Sequence, residues 1–179
     1  MITRITSLWR RFRSDESGNV NTVAFAIWTP VLLMTLGTAI EVGLYTARAT
    51  LLERGMDIVT RDIRLETGFT PQHNEIKNAI CEQAAIIPDC TANLRLEMIP
   101  NDLRAWDPIN AVADCTDRSQ PVQPVRNFVS GQSNELMVLR ACAKIEPLFP
   151  LTFLSGAIET DDAGDYAVVA ISAFVQEPR

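Results

Sequence analysis

Four cysteines, one histidine and a knot of aspartates are the residues whose types and spacing could carry chemistry in this chain. Cys81, Cys90, Cys115 and Cys142 contain no C-x-x-C pair and His73 stands alone, which argues against a zinc site. An even number of cysteines in an oxidising compartment predicts two disulfides, for which three connectivities exist. Cys81 falls on a helix and Cys90 just before a strand, so a short loop lets Cys81–Cys90 form; Cys115–Cys142 then tethers a long loop to the next strand. Asp161, Asp162 and Asp165 crowd one loop without the alternating ligand spacing of an EF-hand, which predicts a solvated acidic turn. His73 has no nucleophile motif around it. No phosphate-loop, dinucleotide, metalloprotease or nucleophile-elbow pattern occurs either. The expectation is a protein that is not an enzyme, holds no metal or cofactor and has no small-molecule substrate.

The element that must position everything else is the stretch Ser17–Ile40, which carries no charged side chain. A helix rises ~1.5 Å per residue and a hydrocarbon core of ~30 Å needs ~20 apolar residues, so this run can span a bilayer. Arg4, Arg10, Arg11 and Arg13 precede it, and the first basic residue after it is Arg48. That asymmetry predicts a cytoplasmic N-terminus and a chain that otherwise lies outside, with all four cysteines. A cleaved signal peptide is the rival, because Ala47-Arg48-Ala49 is an A-x-A site. The apolar run is longer than a signal core, and Glu41 interrupts the approach to that site. From Glu41 onward 12 Lys+Arg stand against 20 Asp+Glu, a net −8, so nucleic acid is not an expected partner.

Four regions follow: a basic cytoplasmic arm over 1–17, a transmembrane helix over 18–41, an extension of the same helix over 42–68, and a disulfide-tied α+β domain over 69–179. Pro30 sits inside the span, and Gly37 and Gly43 leave notches for another helix. In the extension Leu44, Leu51, Ile58 and Leu65 recur every seven residues, with Tyr45, Leu52 and Val59 beside them. Such a narrow seam suits packing along one partner, either another helix or the protein's own domain. Gly68 ends the helix, and Thr70-Pro71 starts the next as N-cap and first turn. Leu94, Leu96 and Met98 alternate as a strand that Pro100 closes. Residues 101–133 form a long loop anchored by Trp106 and Phe128, and strands at 136–145 and 166–175 pair antiparallel. The fold class is α+β: a long N-terminal helix, then a small antiparallel sheet with one or two packed helices.

The order of these features resembles the TadE/TadG-like minor pilins, or pseudopilins, of the tight-adherence (Tad/Flp) pilus system. Gly18, Val23, Phe25, Ala26, Pro30, Leu32, Leu33, Gly37 and Glu41 fit that family's pattern, as does the stretch Leu51–Leu65 that follows. The resemblance implies a pilin-like fold and cleavage after Gly18 by a prepilin peptidase, leaving Asn19 as the mature N-terminus. It also implies a single-pass protein of the bacterial inner membrane, with its domain in the periplasm or carried into a pilus. Its partners would be other pilin or Tad assembly subunits, met through Phe25, Pro30, Gly37, Glu41 and the seam. The pattern's glutamate is replaced by Ala24, and the spacing from Gly18 is one residue longer. A carboxylate at that place is thought to meet a neighbouring subunit's amino terminus in lipid, so Ala24 suits a membrane-retained accessory subunit better than a polymerising one. The alternative function is a bitopic membrane protein whose outer domain binds or senses a ligand through the 101–133 loop.

Overall fold

The computed structural model describes residues 20–65, 72–102, 104–116, 128–150 and 156–178. Gly18, Asn19, Gly68, Thr70 and Pro71 lie outside the described residues, as does the basic arm. Helix α1 runs unbroken over Val20–Leu65, 46 residues, and continues through Pro30. Thr29, Thr35 and Thr38 each donate their hydroxyl to a carbonyl three or four residues earlier in the helix. The span thus satisfies these polar groups internally, which hydrocarbon requires.

Helix α2 covers His73–Gln83, and its N-cap is Gln72, whose N–H is accepted by the Glu75 carboxylate at 2.8 Å. A four-residue helix, α3, spans Cys90–Asn93. Three strands follow, β1 over Arg95–Asn101, β2 over Leu136–Ile145 and β3 over Tyr166–Val175. They form one antiparallel sheet in the order β1-β2-β3, with Arg95 opposite Cys142 and Ile145 opposite Tyr166. Pro100 lies inside β1 rather than after it. Because β1 is an edge strand, a residue without an N–H is tolerated there.

Helices α1 and α2 cover one face of the sheet. Leu52, Met56, Val59 and Ile63 of α1 and Ile76 and Ile80 of α2 meet Leu96, Met98, Met137, Leu139, Ala141, Val168, Ala170 and Phe174 in one core. Each large side chain buried this way contributes about 1.5–3 kcal/mol. The helices touch closely where Gly55 leaves room: a Cβ there would lie 3.1 Å from the Ile80 carbonyl oxygen. The disulfides join Cys81 to Cys90 and Cys115 to Cys142, with Cα–Cα separations of 5.6 and 5.1 Å. These are the pairs that the loop lengths favour.

Asn93 continues the β1–β2 ladder with its side chain. The register places it two residues beyond Arg95, opposite Lys144, and its amide bonds both the N–H and the carbonyl of Lys144. The Thr116 hydroxyl in turn donates to the Asn93 carbonyl at 2.5 Å, bringing the incoming loop to the same corner.

Candidate membrane and assembly interface

Two halves of α1 have opposite surroundings. From Asn21 the helix contains an apolar window with a mean hydropathy of 1.9, whose large side chains are exposed. Phe25 is 71% exposed and Leu32 65%. A helix this apolar with no protein around it is not the core of a soluble domain; its length and composition suit a single membrane crossing. Of the span residues singled out by sequence, Phe25 and Pro30 are exposed while Gly37 is buried. A Cβ added to Gly43 would meet nothing within 4 Å, so that notch is open to another chain.

The bare half ends at Glu41, the first charged residue after the run, and this side chain is fully buried. Its Oε1 accepts the N–H of Leu148 at 3.2 Å and its Oε2 the N–H of Phe149 at 3.1 Å. A boundary carboxylate can reach water or headgroups at little cost, which is the simplest expectation for this position. Here it is instead the first polar contact between α1 and the chain that leaves β2. Tyr45 and Arg48 stand one and two turns further along. The Tyr45 ring lies 5.5 Å from that of Tyr166, and Arg48 Nη1 donates to the Tyr166 hydroxyl at 2.7 Å. Burial pushes the Tyr166 pKa up, and the charges of Glu41 and Tyr45 add to this. The Arg48 charge and hydrogen bond oppose it without cancelling it.

Beyond this junction α1 turns one stripe to the domain: Tyr45, Ala49, Leu52, Met56, Val59 and Ile63. The seven-residue seam is the stripe beside it. Leu44, Leu51 and Ile58 are half-buried along its margin, and Leu65 is 60% exposed. The domain therefore occupies the neighbouring line and leaves the seam partly uncovered.

The sheet face away from the helices holds a buried ion pair. Arg140 of β2 and Glu97 of β1 approach to 2.5 Å, with both side chains about 95% covered. Arg140 also donates to the carbonyls of Asn110 and Val112, and Glu97 accepts the N–H of Asp114. With the Arg95–Asp114 ion pair at 2.9 Å and the Cys115–Cys142 bridge, this pins residues 110–116 against the sheet. Trp106, an expected anchor of the loop, is 56% exposed; the guanidinium and the disulfide do that work instead. Phe128 bridges Met98 and sets its ring edge-on to His73, with centroids 5.1 Å apart. Asp161 closes the turn before β3, accepting the N–H groups of Ala163 and Asp165 and pairing with Lys144 at 3.0 Å. Among the described residues no group of three or more metal-ligating side chains comes together.

Sequence reasoning missed the Glu41 clamp, the Arg48–Tyr166 contact and the Arg140–Glu97 pair. Each had a signal: Glu41 and Arg48 lie seven residues apart on the face that leads to Leu52, and Arg140 is a lone cation in the apolar run Leu136–Ala143. The parts define an α+β domain carried on one long helix, whose free half is long and apolar enough to cross a membrane. Compared with known proteins, the chain matches no family model, no curated protein and no solved structure.

Proposed function

We propose that this protein is a membrane-anchored, pilin-like subunit or accessory protein in the assembly of a tight-adherence type IV pilus, acting by helix–helix and domain contacts. The observation that carries the reading is the single uninterrupted helix, bare and apolar over one half and packed on a disulfide-tied domain over the other. A rigid helix shared between lipid and domain couples the position of the domain to contacts made in the membrane. A tethered ligand sensor has no need of that coupling. Two disulfides support an oxidising compartment for the domain, and the arginine-rich arm supports a cytoplasmic N-terminus. The uncovered seam at Leu44, Leu51, Ile58 and Leu65, beside the open notch at Gly43, offers the surface for a second subunit. Ala24 favours a subunit that stays in the membrane.

The test is Leu51→Asp in the native host. Leu51 lies at the margin of the core, so the variant should still insert and form both disulfides while pilus assembly is lost. Normal assembly with Leu51→Asp would overturn the seam as an assembly surface. Loss of function on shortening 104–112, with assembly untouched by Leu51→Asp, would favour the ligand-binding alternative.

A further inference from the structure

We infer that the segment Pro147–Pro150 is a second membrane contact: Leu148 and Phe149 dip into the interfacial layer of the leaflet from which α1 emerges, and Glu41 is the positioning residue that holds them there. The inference rests on the reading of α1 as a membrane span. Eighteen residues separate Val23 from Glu41, about 27 Å of helix against a hydrocarbon core of about 30 Å, so Glu41 stands at the outer edge of the apolar layer. Its carboxylate lies 3.1–3.2 Å from the backbone nitrogens of Leu148 and Phe149, which fixes those residues at the same depth. Their side chains nevertheless face outward, 58% and 38% exposed.

Two further features suit lipid. No charged side chain occurs between Glu146 and Glu159, twelve consecutive residues. Pro147 and Pro150 have no N–H, and the two N–H groups between them are given to Glu41, so four successive residues present no free backbone donor. Unpaired donors are what makes irregular backbone costly at an apolar boundary, and this segment has none to pair. Through Glu41 the segment adjoins the emerging helix, where Ile40 and Val42 on either side of that residue are each 43% exposed. A bilayer already in contact with α1 is the occupant that this adjacency selects.

Single-tryptophan versions of the full chain test this, with Trp9, Trp28 and Trp106 replaced by Phe and one reporter kept or introduced. They are reconstituted in phosphatidylcholine–phosphatidylglycerol vesicles whose acyl chains carry bromine at a shallow or a deep position. Intact disulfides and far-ultraviolet circular dichroism verify the fold of each variant. Phe149→Trp should emit to the blue of the Trp106-only protein and be quenched most by shallow bromines. The Trp28-only protein should be quenched by the deep ones. Adding Glu41→Ala to Phe149→Trp should move its emission to the red and reduce the quenching toward that of Trp106, with Glu41→Gln in between. Quenching of Trp28 without quenching at position 149 overturns the contact and leaves the span intact. Blue-shifted emission at 149 that no brominated lipid quenches means that a second copy covers the segment, and overturns it too. Unchanged quenching with Glu41→Ala overturns the role of Glu41. If Trp28 itself is not quenched, the span reading fails and the contact falls with it.

Discussion

At the scale of single residues, the charges of this domain act as fasteners. The guanidinium of Arg140 is buried with Glu97 and spends its remaining donors on the carbonyls of Asn110 and Val112. Removing one member strands the other in a low-dielectric site, so Arg140→Met should destabilise the domain by about 3–5 kcal/mol. The double change Glu97→Leu with Arg140→Met should recover a large part of that loss, because no buried charge is left unpaired. Denaturant unfolding of the three variants measures both effects. Tyr166 gives a second residue-level prediction. Its raised pKa means that the folded state favours the neutral phenol. The stability this contributes is complete below the ordinary tyrosine value of about 10 and is lost as pH rises through the folded pKa. Unfolding free energy should therefore fall more steeply above about pH 10 in the parent than in Tyr166→Phe. Equal slopes in the two proteins would show that burial at this site does not couple to titration.

At the scale of elements, the sequence is most legible where a period repeats. Leu96 and Met98, with Leu94 just before the strand, show the alternation of β1, and the apolar runs at 136–145 and 166–175 show β2 and β3. The same logic reached α1 and picked out the line beside the one that packs on the domain. Two adjacent heptad lines are both apolar, 44/51/58 and 45/52/59, and a seven-residue count does not separate them. The four-residue neighbours do. Tyr45, Ala49, Leu52, Met56, Val59 and Ile63 form an unbroken apolar stripe, whereas the other line is interrupted by Arg48, Gly55 and Asp62. Arg140 stands out in its strand, but its partner was beyond reach for another reason: pairing with Glu97 depends on strand register across 43 residues, which no local period encodes. The stripes predict opposite outcomes for similar truncations. Leu52→Ala empties a fully buried site and should cost about 2–5 kcal/mol, while Leu65→Ala at an exposed one should stay within about 0.5 kcal/mol. Gly55→Val should also destabilise, since its Cβ would crowd Ile80 and Gln83 of α2. Thermal unfolding of the three variants ranks them directly.

At the scale of the whole molecule, the decisive question is whether α1 survives maturation intact. A signal peptidase cutting after Ala49 would leave a chain beginning at Thr50. That cut would remove Glu41, Tyr45 and Arg48 together, freeing the N–H groups of Leu148 and Phe149 and leaving the Tyr166 hydroxyl without its cation. Tyr45 and Ala49 would also be stripped from the edge of the core. A domain built to be released would not rest its first polar contacts and the edge of its core on the discarded part, because the apolar surface covered by Tyr45 and Ala49 would be turned out to water. The mature N-terminus is therefore predicted to lie at Asn19 or before it. Intact mass and N-terminal sequencing of the protein from its native membrane, with and without reduction, decide this. A start at Asn19 would add prepilin-type processing despite Ala24, and a start at Met1 would mark an unprocessed accessory subunit. A start at Thr50 would remove the anchor and the pilus reading with it.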